Sequence, residues 1–375
     1  MSPQYDVVVL GAGIVGAACA LQFTEAGMRV AVVERGVIGG EATAAGMGHI
    51  VVMDDSPAQF ALTRYSQTLW AELAPTLPMN IEYDRCGTLW IAQNEEEMQE
   101  VQRKYIYYQS LGVPAQILDS NRLREAEPNL SISLVGALLV PEDAVLYSPA
   151  AALFMVRSAE LMGAKLFQGK TVVRAANGEV FLDDATTLRT ARIVNAMGAT
   201  ASTVTPDLPI RKRNGHLIIT DRYPGFCRHQ MVELGYLASA HSLTSDSVAF
   251  NLQPRRTGQL LLGSSRQYDV DKGFVDHSMV KAIVERAQKF IPTIGSLSAL
   301  RVWTGFRFAT ADHLPLIGSI QGDATMFLAV GHEGLGITTS LATAHLLLDQ
   351  FLERTSIIPL DPYSPSRFSV AEAHA

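Results

Sequence analysis

Gly11, Gly13 and Gly16, in the run Gly11-Ala12-Gly13-Ile14-Val15-Gly16, and the acid Glu34 beyond them are the residues whose types and spacing best suit chemistry. A G-x-G-x-x-G turn followed at that distance by an acid is the pattern that holds a dinucleotide. Gly11 permits a tight turn, Gly13 lets a pyrophosphate approach the backbone, and Gly16 lets a helix pack closely on a strand. The helix N-terminus then faces the phosphates, and Glu34 accepts hydrogen bonds from ribose hydroxyls. This spacing alone does not separate NAD from FAD. A second run, Gly39-Gly40-Glu41-Ala42-Thr43-Ala44-Ala45-Gly46-Met47-Gly48, is rich in small residues. It suits backbone lying against a large planar or phosphorylated ligand, or else a flexible loop leading into a helix.

The elements that must position these residues are legible around them. Tyr5 to Leu10 is a short β-branched apolar run, Ala17 to Ala26 reads as a helix, and Met28 to Glu34 is a second strand ending in the acid. Further on, Ser56 to Leu77 has helical periodicity, Ile81 to Ala92 is strand-like, and Glu95 to Gly112 is an amphipathic helix with acids in its first turn. Asp119 to Ala126 is a short helix and Val135 to Val140 a strand. Ser148-Pro149 opens a helix to Gly163, with the serine as N-cap. Strand-like runs follow up to Arg189 to Ala196, which ends in the glycine turn Asn195-Ala196-Met197-Gly198-Ala199 and reads as a return to the nucleotide domain. Pro209 to Leu262 suggests a second sheet, Asp276 to Ile291 a helix, and Met326 to Val330 a strand entering the Gly331 to Ile337 turn, where the last helix starts. Pro359 to Ala375 is expected to be a mobile tail.

With 375 residues, the chain exceeds the roughly 150 typical of one domain, so two lobes, or one large domain with a second inserted in it, are expected. A content of 48% hydrophobic and 18% charged residues supports a continuous core and excludes wholesale disorder. Lys and Arg total 30 against 37 Asp and Glu, giving a net charge of −7 with no basic block, so nucleic acid is not an expected partner. Cys19, Cys86 and Cys227 form no C-x-x-C pair, which argues against a zinc or iron–sulfur site; no metal is expected. The opening MSPQYDVVVLGAG has neither the basic region nor the cleavage site of an export signal, so a cytoplasmic location is expected. The apolar stretch Ile337 to Leu348 contains Thr338, Thr339, Ser340 and His345 and is shorter than the roughly 20 residues of a membrane span. It reads as a buried helix, with membrane contact at most peripheral.

Taken in order, YDVVVLGAGIVGAA, Glu34, GGEATAAGMG, NAMGA at 195 to 199, TGFRFATADHLPLIG at 304 to 318 and GHEGLGIT at 331 to 338 resemble the glycine oxidase and D-amino-acid oxidase flavoprotein family. The resemblance runs through the whole chain. Within the family it is nearest to the flavin-carrying β subunits of D-hydroxyproline dehydrogenase and related heteromeric amine dehydrogenases, including the opine oxidases and hydrogen cyanide synthase. The resemblance implies an α/β fold: a Rossmann-like FAD-binding domain (1–80, 147–205 and 305–375) interleaved with an α+β substrate domain (81–146 and 206–304) containing a mixed or antiparallel sheet. It implies non-covalent FAD, held by Gly11, Gly13, Ile14, Val15, Gly16, Glu34 and Arg35, with Ala42, Thr43, Ala45, Gly46 and Met47 along the pyrophosphate and flavin. Val173, or equally Val172, falls where the backbone meets adenine, and Gly198 belongs to the same cofactor set. Gly331, His332, Glu333, Gly334, Leu335, Gly336 and Ile337 would place amides and a helix N-terminus near the flavin edge where reduction builds negative charge.

Arg307 matches the family arginine that forks onto the substrate carboxylate, among the apolar neighbours Trp303, Phe306 and Phe308. His49 lines the active site, hydrogen-bonds the flavin or is a structural histidine, and His332 and Glu333 are not read as catalytic bases. Two departures stand out. Gly334 occupies about the place where glycine oxidase has an additional arginine, and no cysteine follows Cys227 to carry a thioether flavin. The expected reaction is oxidation of a D-imino or D-amino acid, D-hydroxyproline or D-proline, to a pyrroline carboxylate by hydride transfer from Cα to flavin N5. The expected partners are that small molecule and subunits carrying further redox centres, which pass electrons to an acceptor other than oxygen. A glycine, sarcosine or D-amino-acid oxidase making hydrogen peroxide, an opine-type oxidase subunit and a chiefly structural flavin subunit fit the same residues.

Overall fold

Val7 to Leu10 and Val30 to Val33 are almost uninterrupted in apolar residues and almost wholly inaccessible. Strands buried on both faces need that composition, and parallel pairing supplies the setting. The computed structural model describes residues 4–235, 246–268 and 273–368, and the chain divides into two compact units. The first comprises Met1–Ile81, Tyr147–Lys212 and Phe306–Ala375, the second Glu82–Leu146 and Arg213–Gly305.

In the first unit, Tyr5–Leu10 is central and pairs in parallel with Val30–Glu34 and with Thr187–Asn195. Lys165–Gln168 extends the sheet beyond Val30–Glu34, and Asp323–Val330 extends it beyond Thr187–Asn195, both in parallel. Leu316–Ile320 closes that edge antiparallel. The first half of Thr187–Asn195 also pairs antiparallel with Glu179–Leu182, which pairs in turn with Val172–Ala176. The helix Ile14–Glu25 packs against the helices Ser148–Leu161 and Gly336–Phe351. Gly336–Phe351 is buried along nearly its whole length, as its apolar sequence requires.

Two local expectations are corrected. Ser148 is the first helical residue, not the N-cap, and Tyr147 holds the cap position without capping the helix through its side chain. The Ser148 hydroxyl instead donates to the Thr43 carbonyl at 2.9 Å. The C-terminal segment is also no free tail as far as residue 368. Tyr363 is buried and its hydroxyl donates to the Ala58 carbonyl, while Arg367 forks onto Asp312 and reaches the carbonyls of Leu314 and Pro315. Residues 369–375 lie outside the described residues.

The second unit is built on an eight-stranded sheet in the order Ala299–Ala309, Arg211–Thr220, Leu260–Arg266, Ser247–Pro254, Gln230–Glu233, Thr88–Ala92, Gly136–Val140, Gln116–Asp119. It is mixed, because Gln230–Glu233 runs parallel to Thr88–Ala92 whereas its pairing with Ser247–Pro254 is antiparallel. One face carries Leu89, Ile91, Met231, Phe250, Leu252 and Leu262 in a single apolar core with Phe290 of the helix His277–Phe290. Phe250 and Phe290 stack at 4.4 Å. Asp276 caps that helix through its side chain, which accepts from the Ser278 amide. Among the described residues no helix is long and apolar enough to cross a membrane.

The fastening of the C-terminal segment has a measurable consequence. Arg367→Ala removes charge-assisted hydrogen bonds from a mostly buried guanidinium. We expect a loss of about 2 kcal/mol and a clear fall in Tm by scanning calorimetry, whereas an unchanged Tm would restore the reading of a loose tail.

Candidate active site

Backbone clearance shapes the glycine turn. Gly11 has φ 95°, a conformation that disfavours other residues. A Cβ there would stand 2.8 Å from the Ala196 carbonyl oxygen, and one on Gly16 would stand 2.0 Å from the Gly11 carbonyl oxygen. Both glycines therefore let the turn, the following helix and the Asn195–Gly198 segment close on one another. The Gly11 amide donates to the Val33 carbonyl, and the Ala196 amide to the Leu10 carbonyl. Gly198 opens a short 3-10 helix at φ 49°, held by the buried Asn195, whose amide donates to the Ala201 carbonyl and the Thr205 hydroxyl.

Gly13 differs from its two neighbours. A Cβ there would meet only the Thr43 hydroxyl, at 3.3 Å. Gly13 is the N-cap of the helix Ile14–Glu25, with no cap bond of its own and no acid in the first turn, so the helix start is electropositive. Thr43 accepts the Ile14 amide at 3.0 Å, which joins the small-residue segment to the turn. Its own carbonyl takes the Ser148 hydroxyl. Gly46 then runs beside the last helix, where a Cβ would come 3.0 Å from Ile337. Ala45 and Met47 are half-buried in the same run, whereas Ala42 is exposed.

Glu34 is fixed by two backbone amides: Ala12 donates to Oε2 at 2.8 Å and Gly36 to Oε1 at 2.7 Å. Each carboxylate oxygen keeps a further lone pair for a hydroxyl donor. The Lys170 amide donates to the Glu34 carbonyl, and the Gln168 side chain to the Gly36 carbonyl. These bonds bring the segment leading to Val172 and Val173 beside the acid. Val172 is buried and Val173 exposed, so Val173 offers backbone rather than packing. Arg35 is not drawn into this group; it pairs with Glu41 on the exposed side.

The other wall is the Gly331–Ile337 loop. Ala309 bridges His332, and the Glu333 amide donates to the Phe308 carbonyl at 3.0 Å, so the loop is stitched to the end of the strand Ala299–Ala309. Arg307 thereby lies against Gly334: a Cβ there would stand 3.6 Å from Arg307 Nη1. His332 and Glu333 turn elsewhere. His332 Nε2 meets the Thr343 hydroxyl at 3.0 Å, and burial pushes its pKa down to about 4. Glu333, at φ 51°, meets His313 Nδ1 at 2.9 Å. Trp70 Nε1 donates to the carbonyls of Ile337 and Thr338.

His49 adjoins this wall. Its carbonyl accepts the Thr338 hydroxyl at 2.8 Å. Its ring Nε2 is enclosed without a partner, and burial pushes its pKa down to about 3. Burial therefore keeps His332 and His49 neutral at ordinary pH. Ser148, Thr338, Trp70 and His313, which brace the site, carry no local sequence signal. Their partners are remote in the chain or, for Ser148, hidden behind an apparent capping role.

With this geometry in view, comparison with known proteins is informative. The family described as DAO, FAD dependent oxidoreductase, matches residues 6–350, and the chain belongs to it. It is 28% identical to the hydrogen cyanide synthase subunit HcnC of Pseudomonas aeruginosa, over 98% of this chain and 97% of that protein. It is 27% identical to the glycine oxidase of Geobacillus kaustophilus, over 98% of each. The fold is likewise shared: the crystal structure of that glycine oxidase matches with a TM-score of 0.87 at 24% identity, over 98% of this chain and 100% of that one. The L-proline dehydrogenase from P. horikoshii matches at 0.88 and 22% identity, over 98% of each chain.

The protein is thus an FAD-dependent oxidoreductase, and its residues suit that cofactor. An uncapped helix start beside a glycine with space for a phosphate, and a carboxylate held at the end of the next strand, match the pyrophosphate and ribose of the dinucleotide. Gly13 and Gly16 make separable predictions. Gly13→Ala should fold with a near-normal Tm as apoprotein yet bind FAD at least about tenfold more weakly, about 1.4 kcal/mol, by fluorescence titration. Gly16→Ala should instead lose Tm or fail to accumulate folded. Equal behaviour of the two variants would contradict the separate roles of cofactor approach and packing.

Proposed function

We propose that this enzyme oxidises a D-imino or D-amino acid, D-hydroxyproline or D-proline, to a pyrroline carboxylate, and that it does so in the cytoplasm with partner subunits leading electrons to an acceptor other than oxygen. Its first unit is the FAD-binding domain and its second the substrate domain. The observation that carries the reading is Arg307 packed against Gly334 in the loop stitched to its own strand. A guanidinium presents two parallel donors to a carboxylate, which fixes orientation as well as affinity. A methyl at 334 would already rest in van der Waals contact with it.

Bound FAD supplies the two-electron acceptor for the hydride that leaves Cα. The chain's task is then to orient the substrate and keep its amine unprotonated, so that the nitrogen lone pair assists the departing hydride and a C=N bond forms. No strong side-chain base is needed. His332 is neutral and bonded to Thr343, and Glu333 is engaged with His313, in agreement with that requirement. The start of the helix Gly336–Phe351 would favour negative charge developing at the adjacent flavin edge. The glycine oxidase relative supports a second reading, an oxidase that yields hydrogen peroxide; peroxide release in air distinguishes it.

Substitution at Arg307 tests the proposal. A charge-assisted carboxylate pair contributes about 1.5–3 kcal/mol, so Arg307→Ala should lower kcat/KM by about 10- to 150-fold while FAD stays bound, with Arg307→Lys in between. Unchanged kcat/KM in a flavin-loaded Arg307→Ala enzyme would remove Arg307 from substrate binding.

A further inference from the structure

Residues other than glycine rarely adopt positive φ, yet two that do meet beside Arg307. His313 has φ 61° and Glu333 φ 51°, a left-handed conformation in which a Cβ crowds the backbone and which glycine adopts freely. Glycine at either position would make the same turn at lower cost. What glycine cannot supply is the contact between the two side chains. A carboxylate only accepts, so His313 Nδ1 donates to Glu333 Oε2, at 2.9 Å. The gain from that one bond is offset by strain at two residues, so the contact adds little to fold stability. Strain kept in this way marks a place where geometry serves a site.

Both ends of the contact are anchored. His313 sits in the turn 310–314, where the Thr310 hydroxyl donates to the Leu314 carbonyl at 2.7 Å and the Leu314 amide to Asp312 Oδ1 at 3.1 Å. Arg367 forks onto the same Asp312. Glu333 belongs to the Gly331–Ile337 loop, and its amide donates to the Phe308 carbonyl. The dihedrals of Glu333 set where the next residue, Gly334, lies. A Cβ on Gly334 would stand 3.6 Å from Arg307 Nη1 and 3.9 Å from Arg307 Cδ, so the arginine runs along this glycine from its stem to its guanidinium. A continuous path thus leads from Arg367 through Asp312, His313, Glu333 and Gly334 to Arg307, all within the first unit.

We propose that His313 and Glu333 are positioning residues for Arg307. Their contact holds Gly334 in the place on which the guanidinium lies, and so fixes Arg307 for two-pronged binding of a carboxylate. That Arg307 takes the substrate carboxylate rests on the function proposed above, and Arg307→Ala, carried alongside, tests it separately.

The test uses the FAD-loaded full chain and two near-isosteric probes that yield no hydride, pyrrole-2-carboxylate and pyrrole-2-carboxamide. Their Kd values are read by calorimetry and by perturbation of the flavin spectrum. The wild type should bind the carboxylate at least about tenfold more tightly than the carboxamide. His313→Gly and Glu333→Gly both suit the left-handed backbone and should fold with little change in Tm and keep FAD. They should nevertheless bring the two probes to within about threefold of each other, with KM for the oxidised substrate rising in parallel and kcat little changed. Glu333→Gln still accepts from His313 and should keep most of the preference. The double glycine variant should be no worse than either single one, because both remove the same contact. A preference kept in either glycine variant but lost in Arg307→Ala would overturn the positioning role alone. So would losses that add in the double variant, or a Glu333→Gln enzyme no better than Glu333→Gly. Loss of FAD or of folding in either glycine variant would also overturn it, since the contact would then serve the cofactor or the fold. A wild type that does not prefer the carboxylate, or an Arg307→Ala enzyme that still does, would overturn the carboxylate role of Arg307 and its positioning together.

Discussion

The turn of the first unit hangs on the clearance at Gly16. Its Cα packs so close to the Gly11 carbonyl that a single methyl would sit 2.0 Å from that oxygen. The contact fixes how steeply the first helix leaves the first strand, and so where the uncapped helix start at Gly13 points. Glu34 adds a second constraint by accepting the amides of Ala12 and Gly36, so the acid is oriented by the same turn it serves. Thr43 and Ser148 carry the arrangement outward, one to the helix start and the other to a second helix. The turn is thus formed by the chain's own contacts, and a preformed site lowers the ordering cost of binding.

The Gly331–Ile337 loop is constrained by different means. Strand-end hydrogen bonds to Phe308 and Ala309, the Trp70 indole on the Ile337 and Thr338 carbonyls, and the Thr338 hydroxyl on the His49 carbonyl hold it from three directions. Burial keeps His332 and His49 uncharged. Charge near Arg307 is instead carried by the Glu333–His313 pair in the same loop and by Lys212, whose ammonium lies over the Phe306 ring.

Much of this was legible in the residues because the relevant contacts are local. A strand, a glycine turn, a helix and a strand ending in an acid follow one another directly between Tyr5 and Glu34, and the structure retains that order. The buried last helix is legible in its own apolar run, whereas a mixed or antiparallel sheet in the second unit follows from the family resemblance. What remained hidden depends on distant pairing. Ser148 looked like an ordinary helix cap because its real partner, Thr43, lies in another chain segment. Tyr363 and Arg367 read as a loose tail because Ala58, Asp312 and Leu314 are remote from them. His332 and Glu333 show the reverse case, in which suggestive side chains are engaged with Thr343 and His313.

The most direct measurement is an anaerobic visible spectrum of the flavin-loaded protein during titration with D-hydroxyproline and D-proline, their L forms, glycine and sarcosine. The account predicts bleaching of the oxidised flavin band by the D-imino acids alone, with colour returning slowly in air and quickly on addition of a quinone acceptor. A band untouched by the D-imino acids, or bleached by glycine and restored at once by air, would contradict it.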